Sequence, residues 1–444
     1  MRIGARVREL GFPRQFWLLF WGMLLNTTGT SMVWPFMTIY LRQRLDVPLT
    51  SVTLLMTVNS AATLLSVAVV GPVVDRVGRK GAMVVGLAAG SAVMASMSAA
   101  GTLPLWAMLM AAQGAVMPLY RVGADAMIAD LIPAERRPDA YALQRMITNL
   151  GIAIGPSVGG FVAAESYGLA FYIGAGAMAT FALVILLFAR ETMPGRLSAD
   201  FGRPKSSRQP SVGSDQRAAS SEHSPIPNPR SEIAVLSEAK DQNRGYGPVL
   251  RDRRFMAFSG LLATASIPPA MLMVLLPVYA KEQFNVPENR YGFIMATNAA
   301  MVVLLQYAVT QMSRRYRPVR VLAVGALLYA VGVGSVAWGW SFPTFLASMV
   351  VLTLGELLLV PTATAYTAAL APPEMRGRYM GVYNLTWGTG YGLGPVIGGL
   401  LSDQIAPAAT WYGGLGIGLA AALGFAALGH RTRLAEAERG AAEG

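Results

Sequence analysis

Long apolar stretches alternate with short polar segments along the chain, which is the pattern of a protein that crosses a membrane many times. A helix needs about 20 mostly apolar residues to span the hydrocarbon core of a bilayer. Stretches of this kind occur as six before and six after a polar central segment, with predicted bounds 15–41, 50–74, 81–101, 104–131, 140–164, 168–189, 254–280, 290–313, 319–340, 343–371, 377–402 and 408–429. The pattern therefore predicts an all-α membrane protein with twelve transmembrane helices.

The two groups of six helices are copies of one another. A shift of 239 residues places Tyr40 on Tyr279, Asn59 on Asn298 and GIAIGPSVGG (151–160) on GYGLGPVIGG (390–399). Because each copy has an even number of spans, the copies are predicted to be parallel repeats related by an axis along the membrane normal, an arrangement of transporters that rock two bundles around a central site. We expect an N-terminal bundle over 1–189, a flexible cytoplasmic linker over 190–253, a C-terminal bundle over 254–429 and a cytoplasmic tail over 430–444.

The distribution of basic residues predicts the orientation of the helices. Thirty of the 36 Lys and Arg residues lie in the N-terminal segment, the linker, the tail and the loops on their side of the membrane. The opposite loops hold four: Arg42, Arg44, Lys281 and Arg290. Because cytoplasmic loops carry an excess of Lys and Arg, both chain ends and the linker are expected in the cytoplasm. We expect the chain to be a multi-pass protein of the plasma membrane or of a bacterial inner membrane.

The composition narrows the class of protein further. Apolar residues make up 54% of the chain and charged residues 14%, against about 25% charged in soluble domains. A net charge of +12 is typical of proteins that bind nucleic acid. Here the excess of Lys and Arg in the segments expected in the cytoplasm accounts for the charge, so no nucleic-acid partner is expected. The chain has no cysteine, which excludes thiolate nucleophiles and cysteine-based metal sites. No nucleophile–base pair, metal cluster or nucleotide loop is visible, so we expect neither an enzyme nor a cofactor nor a metal.

The segment after the second helix, GPVVDRVGRK (71–80), carries a recognisable motif. It resembles the signature G-x-x-x-D-R-x-G-R-K between helices 2 and 3 of the major facilitator superfamily. The matching residues are Gly71, Asp75, Arg76, Gly78, Arg79 and Lys80. The resemblance implies the major facilitator fold and a gate on the cytoplasmic side, and the equivalent stretch of the second half, TQMSRRYRPVR (310–320), keeps only the basic character.

The residue types of this motif suit a gate. We expect Gly71 to allow close approach of a helix and Gly78 to permit a tight turn. Asp75 is expected to form an ion pair with the neighbouring arginines that latches the two halves together, with Asp130 as a further partner. The alternative is that the cluster only determines the topology.

The repeated G-x-x-x-G-P-x-x-G-G segments resemble the antiporter-type motif of the same superfamily, which is associated with exporters that exchange a drug for protons. Small residues at these spacings let helices pack closely, and proline bends a helix. The residues are Gly151, Gly155, Pro156, Gly159 and Gly160, with Gly390, Gly394, Pro395, Gly398 and Gly399 in the second half. One feature of the exporter pattern is missing, because Met110 stands where an arginine usually precedes Gln113-Gly114.

Charged residues inside the predicted spans are candidates for function, because a charge at the bilayer centre costs about 2.5–3.5 kcal/mol on insertion scales. Besides Arg145, which lies near the cytoplasmic end of its span, these are Arg121, Asp125 and Glu356. Glu356 lies near mid-depth in TLGE, and with the following Pro361 this stretch resembles helix 10 of proton-coupled multidrug exporters, where the matching glutamate is implicated in proton coupling. We therefore expect Glu356 and Asp125 to couple protons to transport.

Two structural alternatives remain open for these carboxyls. Glu356 falls on Met117 under the shift of 239 residues, about one helical turn from Arg121, so the two could form an ion pair that stabilises the bundle. Asp125 could likewise pair with Arg121, four residues earlier on the same helix.

A substrate is expected to contact residues of the cavity-lining helices that the resemblance implies. The candidates are Arg121, Glu356, Asn26, Trp34, Tyr120, Tyr366 and Trp387. Many methionine and aromatic residues suit a large amphipathic substrate. The leading hypothesis is proton-coupled efflux of hydrophobic or amphipathic molecules by alternating access. The alternatives are proton-coupled uptake of an anionic metabolite held by Arg121, and a lipid-handling or sensing protein that uses the linker. The expected partners are a small-molecule substrate, protons and the lipid bilayer, with the chain as a monomer.

Overall fold

The computed structural model describes residues 11–133, 136–193, 246–372 and 375–443. Most of the predicted linker, residues 194–245, therefore lies outside the described residues. The described residues are helical over most of each predicted span.

The first half contains six helices. Helix α1 is divided into Arg14–Ser31 and Met37–Leu45, with a 3₁₀ turn over Trp34–Phe36 between them. The others are α2 Leu49–Val77, α3 Arg79–Ala99, α4 Leu103–Leu131, α5 Arg137–Glu165 and α6 Tyr167–Phe188. The division of α1 was not predicted, and it lies at Pro35, which has no backbone N–H to donate to a continuing helix.

The second half begins with a short helix, Gly247–Arg251, and continues with six long ones. These are α7 Arg253–Phe284, α8 Glu288–Ser313, α9 Pro318–Gly334 with a 3₁₀ extension over Ser335–Trp338, α10 Phe342–Leu370, α11 Arg376–Gln404 and α12 Ala409–Glu443. Helix α12 runs past its predicted end at residue 429 into the predicted tail.

Ten helices in the described part of the chain are long and apolar enough to cross a membrane. The divided α1 and the glycine-rich α11 are not among them. The chain is therefore an all-helical membrane protein, and its two weakest spans by composition are the ones that carry a break or a glycine motif.

The structure repeats with the predicted shift of 239 residues. Five helices of the first half have partners that begin at the shifted position: Arg14 and Arg253, Leu49 and Glu288, Arg79 and Pro318, Leu103 and Phe342, and Arg137 and Arg376. The packing repeats as well, because α1 packs on α5 and α6 as α7 packs on α11 and α12, and α4 packs on α2 and α3 as α10 packs on α8 and α9. The two parallel six-helix repeats are thus confirmed.

The halves meet through two equivalent pairs of helices, α2 with α11 and α5 with α8. We call the side that carries the α2–α3 junction and the start of α7 the linker face. The opposite side, with the α1–α2 and α7–α8 turns, is the distal face. Each turn begins at a residue in the left-handed conformation, Asp46 (φ 49°) and Asn285 (φ 52°), which are again 239 positions apart.

Candidate functional site: a central cavity between the halves

A cavity of about 670 Å³ lies between the two halves and takes its walls from both. Its polar and charged lining residues are Asn59, Ser60, Arg121 and Asn149 from the first half and Asn298, Glu356 and Tyr391 from the second. Its apolar lining includes Trp34, Met56, Ile152, Met273 and Met295. The predicted candidates Trp34, Arg121 and Glu356 are therefore brought together around one space.

A second cavity of about 490 Å³ adjoins the first within the N-terminal half. The two share the lining residues Trp34, Pro35, Arg121, Ile152 and Met295, so they lie side by side. The second cavity adds the predicted residues Asn26, Tyr120 and Asp125, together with Gln144 and several hydroxyl side chains.

Glu356 is held by a neighbouring helix of its own half. Its Oε2 accepts a hydrogen bond of 2.8 Å from Nδ2 of Asn298 on α8. The alternative in which Glu356 pairs with Arg121 is not formed, because within the described residues no salt bridge joins the two. Arg145 on α5 is the cation whose charge acts on Glu356 from the other half.

Asp125 also finds a polar partner in place of the predicted arginine. Its Oδ1 accepts a hydrogen bond of 2.8 Å from Nε2 of Gln144 on α5. The predicted pair of Asp125 with Arg121 is therefore wrong for this structure. Gln144 reaches the carboxylate from a neighbouring helix, and the Arg121 side chain faces the cavities without an ion pair to any described carboxylate.

Asn26 and Tyr120 are buried residues at the wall of the second cavity. Both side chains are under 10% exposed, and Oδ1 of Asn26 has no hydrogen-bond partner within the described part of the chain. Trp34 is 39% exposed and lines both cavities.

Two of the predicted substrate contacts lie elsewhere. The ring of Tyr366 packs against Phe258 in the core of the second half, with ring centroids 5.0 Å apart. Trp387 packs against the same core. The structure does not place either residue among those that line the two cavities, because their rings are taken up by packing between helices.

The gate motif forms ion pairs within one half. Nη1 of Arg79 lies 3.0 Å from Oδ1 of Asp75, and Nε of Arg79 lies 3.2 Å from Oδ2 of Asp130. These pairs connect α2, α3 and α4 and do not join the halves in this conformation. The expected close approach at Gly71 is wrong, because no described atom of another helix lies within 4 Å of where its Cβ would be. The tight turn at Gly78 is confirmed, with φ 98° and ψ 156°.

Glu191, which follows α6, is a part of this cluster that the sequence did not reveal. Its carboxylate accepts hydrogen bonds from the backbone N–H groups of Arg79 (3.0 Å) and Lys80 (3.1 Å) at the first turn of α3. A carboxylate at a helix N-terminus is favoured because the first N–H groups have no partner within the helix. Thr192 donates to Asp130 at 3.1 Å, so the end of α6 is tied to the same cluster.

Charged contacts between the halves lie at the distal face instead. Nε of Arg42 lies 2.6 Å from Oε1 of Glu282, and its Nη1 lies 3.7 Å from Oδ1 of Asp403. The other oxygen of Asp403 accepts hydrogen bonds of 2.7 Å from both the backbone N–H and the hydroxyl of Thr50. We call Arg42, Thr50, Glu282 and Asp403 the distal latch, which connects α1 and α2 with α7 and α11.

A second polar cluster occupies the equivalent position across the pseudo-twofold axis. Lys281, the repeat counterpart of Arg42, donates to Oε2 of the buried Glu288 at 3.0 Å. The other oxygen of Glu288 accepts a hydrogen bond of 2.5 Å from the hydroxyl of Tyr167 in the first half. The distal side of the cavity is thus closed by polar contacts on both sides of the axis.

The glycine motifs pack in two directions. As predicted, they give close helix contacts: Gly151, Gly155 and Gly159 lie against α1, and Gly390, Gly394 and Gly398 lie against α7. Their last glycines face the other half. A Cβ on Gly160 would lie 2.5 Å from the carbonyl oxygen of Glu288, and one on Gly399 would lie 3.1 Å from Cα of Thr50.

Comparisons with known proteins agree with this architecture. The sequence profile of the Major Facilitator Superfamily matches residues 19–268 and 255–444. The chain is 24% identical over 399 residues to the uncharacterized MFS-type transporter YhjO of Bacillus subtilis (strain 168), a match that covers 89% of this chain and 88% of the relative. It is also 24% identical over 315 residues to a Na(+), Li(+), K(+)/H(+) antiporter of Planococcus maritimus, covering 66% of this chain and 65% of that one. The crystal structure of the nucleoside transporter NupG superposes with a TM-score of 0.74 over 94% of this chain and 100% of that chain, and at 13% identity this likeness concerns the fold alone.

Proposed function

Because the chain belongs to the major facilitator superfamily, it is a secondary transporter and not an enzyme, and we propose that it exports hydrophobic or amphipathic small molecules in exchange for protons. One observation carries this proposal. A carboxyl group that forms no ion pair within the described residues, Glu356, lines a cavity enclosed by both repeats.

Glu356 can link proton binding to substrate binding because both compete for one carboxylate. In the charged state it attracts a cationic group of a substrate in the cavity. Burial in a poorly hydrated space disfavours a charged carboxyl, so the empty site is stabilised by taking up a proton. A proton that enters from the distal side would therefore expel the substrate and neutralise the site for its return.

Asp125 is proposed as a second proton-binding group. It lines the adjoining cavity, and its carboxylate is held by Gln144 and forms no ion pair with a described cation. Proton transfer between the two carboxyls would pass along the lining residues that the cavities share, where Arg121 lies.

The cavity lining suits an amphipathic substrate. Trp34, Met56, Met273 and Met295 supply a polarisable apolar surface, and methionine adapts to ligands of different shape. The relative from Planococcus maritimus, which is named as a cation/proton antiporter, supports exchange of a cation for protons.

The contacts at the distal face fit the export direction. The predicted orientation places the linker face in the cytoplasm, so a cavity closed at the distal face would receive its substrate from the cytoplasmic side. We propose that the observed conformation is the substrate-loading state of the exporter.

Transport in proteoliposomes tests the role of Glu356. With a lipophilic cation such as tetraphenylphosphonium as the probe, Glu356→Gln should abolish transport driven by a pH gradient, because a neutral amide cannot exchange a proton. Glu165→Gln, at the exposed end of α5, is the matched control and should transport like the parent. Gradient-driven transport by Glu356→Gln at the parent rate would remove this residue from the mechanism.

One observation favours a second candidate, proton-coupled uptake of an anionic metabolite. Arg121 lines both cavities and forms no ion pair with a described carboxylate, so its guanidinium is available to a substrate anion. If Arg121→Ala selectively abolishes transport of one anionic solute and the protein moves no lipophilic cation, the export proposal is wrong and the uptake proposal takes its place.

A further inference from the structure

We propose that Asn298 is the positioning residue for proton coupling: its side-chain amide holds the Glu356 carboxylate and sets the pH at which the transporter changes conformation. This inference rests on the proposed role of Glu356 and names the group that acts on it. Asn298 lies on α8 and Glu356 on α10, and both line the central cavity.

The amide of Asn298 is fixed by two contacts on α10. Its Nδ2 donates to Oε2 of Glu356 at 2.8 Å and to the hydroxyl oxygen of Thr353 at 2.9 Å. The Thr353 hydroxyl in turn donates to the carbonyl oxygen of Met349 at 2.7 Å and is fully buried. Because the Thr353 proton is already used, its oxygen can only accept, and this orients the amide N–H group towards Glu356.

Other ionisable groups lie around Glu356, but within the described residues none of them donates a hydrogen bond to its carboxylate. Tyr329 of α9 packs on Gly355, next to Glu356, and Tyr391 of α11 lines the same cavity. Helix α7 contributes the apolar Met273 and Val274. Arg121 lines the cavity from the other half, and the charge of Arg145 on α5 also acts on Glu356. Among the described residues, Asn298 alone donates a hydrogen bond to the Glu356 carboxylate.

A donated hydrogen bond favours the charged form of a carboxyl. When Glu356 takes up a proton, the amide N–H donates to a neutral carboxyl oxygen, and the hydrogen bond loses the extra strength that the charge gave it. The contact between α8 and α10 therefore differs between the two protonation states. This makes Asn298 the link between the proton on Glu356 and the packing of two helices.

The internal repeat supplies a natural comparison. Asn59 of α2 is the counterpart of Asn298, and its Nδ2 donates to the backbone carbonyl oxygen of Met110 on α4 at 2.9 Å. Where α10 carries Glu356, α4 carries Met117. The same amide thus clamps two helices in one half and holds a titratable group in the other. A matched control lies on α8 itself, because Nε2 of Gln306 donates to the backbone carbonyl oxygen of Leu357 on α10 at 3.1 Å and Gln306 is not among the residues that line the two cavities.

The conformational equilibrium can be measured without a known substrate. The chain has no cysteine, so Gly101→Cys and Trp340→Cys, an equivalent pair in exposed distal loops, can carry spin labels in the full-length protein. Double electron–electron resonance then reports the fraction of distal-closed molecules as a function of pH in lipid nanodiscs.

We expect Asn298→Ala to move the pH midpoint of this transition upwards by about one to two units, because a hydrogen bond to a charged group is worth about 1.5–3 kcal/mol and one unit corresponds to 1.36 kcal/mol. Asn298→Leu, which keeps the side-chain volume, should give the same shift if alanine perturbs folding. Gln306→Ala, which removes a hydrogen bond between the same two helices but no contact to Glu356, should leave the midpoint unchanged. In a Glu356→Gln background, Asn298→Ala should have no effect on the pH response.

The outcomes separate this inference from the proposed function. If Glu356→Gln removes the pH response while Asn298→Ala and Asn298→Leu titrate like the parent, the positioning role is wrong and the proton-coupling role of Glu356 stands. If Glu356→Gln titrates like the parent, both are overturned.

Discussion

Gly78 shows how one residue sets the geometry of a whole junction. It ends α2 and precedes the first residue of α3, with its N–H donating to Val74 and its carbonyl oxygen accepting from Ala82, both at 3.0 Å. Its φ of 98° with ψ of 156° is a combination that essentially only glycine adopts without strain. The turn places Arg79 at the start of α3, between Asp75 and Asp130.

We expect Gly78→Ala to lower the stability of the protein by about 1–3 kcal/mol, the cost of a strained backbone conformation. The measurement is the thermal unfolding temperature in detergent. Gly71→Ala is the control from the same motif, because its added methyl group meets no described atom of another helix and alanine is the better helix former by about 1 kcal/mol. Equal unfolding temperatures of the two variants would contradict this account.

At the same residue scale, the sequence located the charged groups of the cavity but not their partners. Glu356, Asp125 and Arg121 stood out because charges are rare within apolar spans. Their contacts depend on how neighbouring helices are rotated, which periodicity does not specify. Gln144 and Asn298 reach the two carboxylates from other helices. The repetition of Asn59 at Asn298, a polar residue at one place in both halves, was the available signal.

Among the helices, α5 illustrates how one element serves two purposes. Gly155 lies against Ser31 and the backbone of Thr28 on α1, within its own half. Gly160, on another side of the same helix, meets the backbone of Glu288 and Asn289 across the boundary between the halves. The contact at Gly155 stabilises the N-terminal bundle itself. The contact at Gly160 stabilises the conformation in which the halves are closed at the distal face.

We therefore expect two alanine substitutions in α5 to affect different properties, one the stability of the protein and the other its conformational equilibrium. Gly155→Ala should lower the thermal unfolding temperature, because the methyl group would overlap α1 and overpacking typically costs about 1–3 kcal/mol. Gly160→Ala should leave the unfolding temperature closer to that of the parent and reduce the distal-closed fraction measured by spin-label distances between positions 101 and 340. A distal-closed fraction equal to that of the parent would show that Gly160 does not affect the equilibrium.

The helices themselves were the most predictable feature. Length and hydropathy gave bounds within a few residues for most spans, and the repeat fixed the equivalence of the halves. The break in α1 escaped prediction because one proline, Pro35, interrupts a stretch that is long enough to span, and the extension of α12 escaped it because apolar length does not locate the end of a helix that continues into a polar segment. Tyr366 and Trp387 were placed on the right helices and assigned to the cavity, yet their rings pack in the core.

For the molecule as a whole, closure of the distal face depends on two kinds of contact. Backbone surfaces meet at Gly160 and Gly399, and polar side chains meet at the distal latch and at Glu288. The latch is partly exposed, since the side chains of Arg42 and Glu282 are 32% and 33% accessible. Exposed ion pairs contribute little each, about 0.2–1 kcal/mol, which suits an element that must open in every transport cycle.

Removing the latch arginine should therefore shift the equilibrium without unfolding the protein. We expect Arg42→Ala to lower the ratio of distal-closed to distal-open molecules by a factor of about 2–30, because it removes both the Glu282 and the Asp403 contact, each worth about 0.2–1 kcal/mol. Arg44→Ala, two residues along the same helix end and exposed, carries the same loss of charge without the latch contacts. In high salt the difference between the two variants should shrink, because the contacts are screened. A matching shift in both variants would mean that the overall charge of the distal face, and not the latch, holds the halves together.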